Sequence, residues 1–330
     1  MRTIVARLDS DGDVLLAGPA IRAAAHAGEV VLLCGNSGVQ AAALLPGVRR
    51  VVRWDCPWIG NPAPEVRTPD IEGIVALLKG IRADAALILT SFHQSPLPLA
   101  LLLKLAGVPK VAARSTDYPG SLLDVGLRED PDIPEAERAL EVARAAGFEL
   151  PPGDDGRLAI TTPPETTEIG PYVVLHPGAS APARAWSPDR CAQTVTALAE
   201  AGHRVLVTGG PDEAELTEYV AGAHGVDLGG RTTFAELAGL LARADAVVVG
   251  NTGPAHLAVA VGTPVVSLFA PVVPARRWAP HGPHVLLGDQ NAPCRGSRAR
   301  ECPVPGHPCL DRVTPDRVVT AVADLVGVRT

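Results

Sequence analysis

The chain has 330 residues, is 47% apolar and carries a formal net charge of −7. That length suits two domains of about 100–200 residues each. An acidic chain without a long basic run is not built for electrostatic capture of nucleic acid. Its opening apolar run is too short for a signal segment, and Leu97–Val108, broken by Pro98 and Lys104, is too short to span a bilayer. A cytoplasmic protein without a transmembrane segment is expected.

Apolar runs alternate with segments of helical period almost throughout, which predicts α/β architecture. In the first half, strands are expected at Thr3–Leu8, Glu29–Cys34, Val48–Val52, Ala85–Leu89 and Val108–Ala112. Helices are expected at Val14–Ala27, Asp70–Ile81, Pro96–Ala106 and Pro134–Ala146. Residues 150–171 hold five prolines and three glycines without apolar period, and mark a domain boundary. The pattern then restarts. Strands are expected at Tyr172–His176, Arg204–Thr208, Ala246–Gly250 and Pro264–Phe269, and helices at Pro188–Ala201, Asp212–Ala221, Thr233–Ala242 and Pro254–Val261. Residues 271–312 read as mostly irregular, and a last helix, Pro315–Leu325, closes the chain and can pack back on the first domain. The reading is therefore a domain at 1–165 and a second at 166–330, each with a parallel sheet. Ligands of such sheets bind beyond the carboxyl ends of the strands.

Four motifs lie at strand-to-helix junctions. Asp9-Ser10-Asp11-Gly12-Asp13 follows the first strand and opens a helix. Asp13 there suits a cap or first-turn position, where free N–H groups favour a carboxylate. A metal-binding Asp-x-Asp and a general base are the other readings. A calcium loop fits poorly, because Ala20 stands where the twelfth-position carboxylate belongs. His176-Pro177-Gly178-Ala179-Ser180, followed by Arg184, Trp186 and Pro188, offers a hydroxyl and a planar cation suited to phosphate; Arg184 could equally be a solvated loop arginine. Gly209-Gly210-Pro211-Asp212-Glu213 is either a ribose or phosphate cradle or an ordinary turn. Asn251-Thr252-Gly253-Pro254-Ala255-His256 ends a buried strand in a tight turn whose N–H groups and Thr252 hydroxyl form an anion site. His256 in its first turn is a structural hydrogen-bonding group or a ligand contact.

Cys294, Cys302 and Cys309 have no C-x2-C pair, so they do not follow a standard zinc pattern. Reduced structural thiols or a labile disulfide fit better. No Walker A motif and no G-x-G-x-x-G after the first strand is present, which removes the usual support for NTPase and NAD readings.

Taken in order and spacing, these motifs resemble glycosyltransferase family 9, the heptosyltransferase family. The resemblance rests on Asp-x-Asp-Gly-Asp-Val-Leu-Leu near the start, His-Pro-Gly-Ala-Ser with Arg-x-Trp-x-Pro at 176–188, and Asn-Thr-Gly-Pro-x-His-Leu-Ala at 251–258. It implies the GT-B fold, two Rossmann-like domains with parallel sheets facing across a cleft, the first binding acceptor and the second the nucleotide-sugar. It implies an inverting, metal-independent transferase that needs no cofactor. The catalytic aspartate of the family falls on Asp13, and its phosphate-binding lysine on Arg184. Its diphosphate turn falls on Thr252, Gly253 and Pro254, with His256 nearby. Nucleotide contacts fall on Ser180, Gly209, Gly210 and Glu213. Asn251 departs from the aspartate many members carry there, which bears on donor preference. ADP-heptose is the leading donor, and the acceptor is a glycan, a lipid-linked sugar or a small molecule, compatible with peripheral membrane contact. A nucleotide-sugar 2-epimerase and a non-catalytic nucleotide-sugar-binding protein are the rival readings.

Overall fold

Glu29–Cys34 is buried at every position after the first, and Ala246–Gly250 at all of them. Uninterrupted burial of this kind belongs to parallel strands covered on both faces. The computed structural model describes residues 1–60, 63–128, 133–168 and 170–327. The chain divides into two compact units, Met1–Thr161 and Thr162–Thr330.

The first unit holds β1 (Arg2–Ala6), β2 (Glu29–Cys34), β3 (Val48–Arg53), β4 (Ala85–Ile88), β5 (Lys110–Arg114) and β6 (Val125–Leu127). They form one six-stranded sheet in the order β3-β2-β1-β4-β5-β6. Every neighbouring pair is parallel; Val5 lies opposite Leu32 on one side and Leu87 on the other. This is the doubly wound order, and its topological switch point falls between β1 and β4. Ile4, Val31, Leu33, Leu78, Leu99 and Leu103 lie at the centre of a core beneath helices Thr68–Ile81 and Leu97–Leu105.

The second unit repeats the plan with β7 (Val173–His176), β8 (Val205–Val207), β9 (Gly225–Asp227), β10 (Ala246–Gly250), β11 (Val265–Leu268) and β12 (His284–Leu287). Its order is β12-β11-β10-β7-β8-β9, again all parallel, so its switch point lies between β7 and β10. Helix Pro315–Gly327 packs within this unit, on helix Pro188–Glu200 and on β10, β11 and β12, burying Val318, Ala321 and Val322.

Two local departures have clear causes. The expected helix Val14–Ala27 is two helices, Asp11–Leu16 and Gly18–Ala27, joined at Ala17. Pro19 in the second turn of a continuous helix would clash with a preceding carbonyl and lacks an N–H to donate. The stretch 271–312 also contains β12, which completes the sheet edge beside β11. Its partly buried pattern explains why it lacks the apolar signature of the inner strands.

Candidate active site

The first unit gathers charge at its switch point. Arg7 follows β1 directly and is buried. Its guanidinium reaches Asp9 at 3.0 Å, Asp13 at 2.7 Å and Glu135 at 3.8 Å. Nη2 also donates to Ser91 Oγ at 2.9 Å. Ser10 Oγ donates to the second oxygen of Asp13 at 3.2 Å, as a residue three positions earlier on a helix cap can. Gln94 Nε2 donates to Asp9, and Ser91 N donates to the Gln94 side-chain Oε1 at 3.1 Å. From helix Glu135–Ala145, Arg138 binds both oxygens of Glu135, at 3.1 and 3.0 Å.

Burial raises the Asp9 carboxyl to about 6, against the pull of Arg7. Burial also works against the charge on Arg7, but Asp9, Asp13 and Glu135 outweigh it and raise its pKa. Asp11 turns elsewhere: its Oδ1 accepts from the Ala41 N–H at 2.8 Å, and burial raises it to about 6. Asp9 and Asp13 therefore meet at Arg7, and Asp11 does not join them. Among the described residues no group of three or more His, Cys, Asp or Glu side chains is arranged to hold a metal ion.

The second unit brings three predicted loops to its own switch point. After β7, His176 shares a hydrogen bond with Thr208 Oγ1 at 3.0 Å, and its Nε2 lies 3.9 Å from Glu213. Burial lowers the pKa of His176, and Glu213 opposes that. Glu213 Oε2 accepts from the Gly210 N–H at 2.8 Å. A Cβ on Gly178 would sit 1.9 Å from Glu213 Oε1, and one on Gly209 would sit 2.6 Å from Thr217. Glycine at 178 thus lets the loop 176–180 lie against the Glu213 carboxylate.

After β10, the helix Gly253–Ala260 starts from Thr252, with Pro254 in its first turn, where a missing N–H costs nothing. Thr252 makes no side-chain cap bond to the helix. Asn251 is buried, and both polar atoms of its amide, together with Thr252 Oγ1, are shielded from solvent without a hydrogen-bond partner among the described residues. Buried polar atoms of this sort are rare and each left unpaired costs about 1–3 kcal/mol. His256 is buried in the same turn. The backbone of Arg184 runs beside this turn: a Cβ on Gly250 would sit 3.0 Å from the Arg184 carbonyl oxygen.

The loop that carries Arg184 is pinned from the far end of the chain. Ala183 N donates to Arg300 O at 2.8 Å, His307 Nε2 bonds to Ala183 O at 3.1 Å, and Trp186 Nε1 donates to Leu310 O at 3.0 Å. Arg300 Nη2 donates to Ser180 O at 3.1 Å, while Ser180 itself is exposed. All six cysteines are free thiols, and Cys294 and Cys309 lie in the core cluster that also holds Ala183 and Trp186.

Of the residues singled out in the sequence, Asn251, Thr252, Gly253, Pro254 and His256 form one turn, with Arg184 alongside. Gly209, Gly210 and Glu213 form a second cluster with His176 and Gly178. Asp13 belongs to the first unit. Arg7, Ser91, Gln94, Glu135 and Arg138 escaped the sequence reading. An arginine directly after an apolar strand, two residues before an aspartate, is the signal that could have found the first of them.

The model of glycosyltransferase family 9 (heptosyltransferase) matches residues 83–306. A curated relative, lipopolysaccharide heptosyltransferase 3 of Escherichia coli, is 32% identical over 138 residues, which cover 39% of this chain and 41% of that protein. The chain thus spans about two fifths of the length of that relative. Among solved structures, the glycosyl transferase family 9 protein from Veillonella parvula DSM 2008 superposes with a TM-score of 0.78 at 17% identity, covering 100% of this chain and 97% of that one. E. coli heptosyltransferase WaaC with ADP gives a TM-score of 0.71 at 19% identity, covering 98% of this chain and 100% of that one. The fold is the two-sheet Rossmann-like arrangement of those enzymes.

Proposed function

The chain belongs to glycosyltransferase family 9, and from that premise we propose that it is an inverting, metal-independent transferase moving a sugar from a nucleotide-sugar to a hydroxyl acceptor. The observation that carries the donor half of this reading is the turn at 251–253. It combines unpartnered buried polar atoms on Asn251 and Thr252 with the head of a helix, and Arg184 passes beside it. Free N–H groups at a helix start suit a diphosphate, and Arg184, whose backbone passes the turn, is the cation we assign to it. The ADP bound by the structurally similar WaaC supports an adenine nucleotide, and ADP-heptose is the donor we assign first.

The chemistry is a single displacement. The acceptor oxygen forms a bond to the anomeric carbon as the bond from that carbon to the diphosphate oxygen breaks, and the electron pair leaves with the nucleoside diphosphate. Arg184 and the helix start at Gly253 stabilise the charge that grows on the leaving oxygen. The acceptor proton passes to Asp13, a step worth typically about 10²–10⁴-fold. These fixed cations and N–H groups do the work a bound metal does in other transferases. Gly209, Gly210, Glu213 and Ser180 are assigned to the nucleotide side, with Glu213 also holding its loop together. The two domains divide the labour, acceptor with the first and donor with the second.

No described helix is long and apolar enough to cross a membrane. A cytoplasmic enzyme whose acceptor is a glycan, a lipid-linked sugar or a small molecule fits that, with lipopolysaccharide core the acceptor suggested by the relatives' names.

A thermal-shift series tests the donor assignment, because a ligand that binds only the folded state raises its melting point. ADP and ADP-heptose should raise Tm in a concentration-dependent way, and more than the corresponding uridine and guanosine compounds. No shift with any nucleoside diphosphate or nucleotide-sugar would remove the donor reading.

A further inference from the structure

We infer that Arg7 is the positioning residue of the reaction: it fixes the Asp13 carboxylate through one oxygen, while Asp9 and Glu135 share its charge. This rests on the reading of Asp13 as the acceptor's base, and adds to it a residue and a reason.

The geometry is specific. Arg7 has a side chain only 3% exposed and enters the cluster from the end of β1. Its Nη2 donates to Asp13 Oδ1 at 2.7 Å and to Ser91 Oγ at 2.9 Å. Ser91 in turn donates to Asp9 Oδ2 at 3.4 Å. A buried arginine held on three sides cannot swing, so the carboxylate it grips has one orientation. Orientation of a reacting group to within a fraction of an ångström is worth orders of magnitude in rate.

A guanidinium at 2.7 Å would, alone, make Asp13 a poor base, since a positive neighbour favours the ionised carboxylate. Other carboxylates share that cation. Asp9 stands 3.0 Å from Arg7 and Glu135 3.8 Å, and Arg138 is bound to Glu135. Arg114 also lines the small cavity beside Arg7, Glu135 and Arg138, but pairs with Glu141. Asp11 is engaged by the Ala41 N–H and takes no part. Arg7 thus shares its charge among three carboxylates. That arrangement holds Asp13 firmly.

The test uses the full chain labelled with carbon-13 at aspartate carboxyls. Asp9→Asn and Asp13→Asn spectra assign the two resonances. In Arg7→Gln the midpoint of the Asp13 resonance should rise by about one pH unit or more, since a bound cation is lost, and Arg7→Lys should restore part of that shift. With ADP-heptose and heptose-deficient lipopolysaccharide, Arg7→Gln should lower kcat about tenfold or more, move the acidic limb of the kcat profile to higher pH, and leave donor KM within about twofold. An Asp13 midpoint unmoved in a folded Arg7→Gln protein would overturn the inference. So would a kcat loss that Arg7→Lys does not relieve at all. The two levels separate cleanly: a shifted midpoint combined with an active Asp13→Asn protein means Arg7 holds Asp13 but Asp13 is not the base.

Discussion

The carbonyl oxygen of Arg184 lies against the backbone of Gly250, so close that a Cβ at 250 would stand 3.0 Å from it. The last residue of β10 and the loop after β7 therefore share one small space, and the loop's position depends on the absence of a side chain there. Replacement of Gly250 by valine should push the Arg184 segment away. ADP affinity should fall about tenfold, the scale of one lost charge-assisted contact, and Arg184→Ala should fall by a similar factor. The double variant should be little worse than either single one, because both remove the same interaction. Calorimetric titration with ADP checks this; fully additive losses would mean that the two residues act independently.

The Glu213 carboxylate closes the loop 176–180 onto the loop 209–213. Gly178→Ala would drive a methyl group to 1.9 Å from Glu213 Oε1. The carboxylate is the far end of a flexible side chain and can swing aside, so the cost is its hydrogen bond to the Gly210 N–H, about 0.5–1.5 kcal/mol, which for a chain of this size means a Tm lower by about one to a few degrees. Truncating the obstacle should relieve it: Gly178→Ala with Glu213→Ala should lie closer to Glu213→Ala alone than the sum of the single effects requires. Differential scanning calorimetry of the four proteins measures the coupling.

Asp11 offers a pH test. Burial raises its carboxyl to about 6, from 3.8 for the free residue, with Ala41 and Gln40 N–H groups opposing. A carboxyl that is raised on folding binds more protons in the folded than in the unfolded state between those values. Stability is therefore lost as pH rises from about 4 to about 6. Asp11→Asn keeps an oxygen for the Ala41 N–H and removes the titration. The Tm difference between Asp11→Asn and the unaltered protein should grow in favour of the variant from pH 4 to pH 7. A constant difference across that range would mean Asp11 does not titrate as its burial demands.

The inner strands were legible because burial on both faces leaves a continuous apolar word, as in Glu29–Cys34 and Ala246–Gly250. The edge strands β6 and β9 were not, since each is three residues long and only partly buried. The turn at 251–256 and the glycines at 178, 209 and 210 were legible from residue chemistry, because glycine and proline after a strand announce a tight turn into a helix. The Arg7 cluster was illegible for a different reason. Glu135 and Ser91 reach Arg7, with Arg138 on Glu135 and Gln94 on Asp9, from segments far apart in sequence, and the order of strands β1, β4 and β5 brings them together. A sequence read segment by segment carries no record of that meeting. Asn251, noted as a departure from the family, acquires a physical meaning only with its burial, since both ends of its amide are shielded from water without a partner among the described residues.

The most direct measurement is Asp13→Asn, assayed twice on the same preparation: sugar transfer from ADP-heptose, and ADP binding by calorimetry. The account predicts turnover lower by about 10²–10⁴-fold, with an ADP dissociation constant within about twofold of the unaltered protein. Transfer at near the original rate would contradict it, because the acceptor's proton would then have another destination.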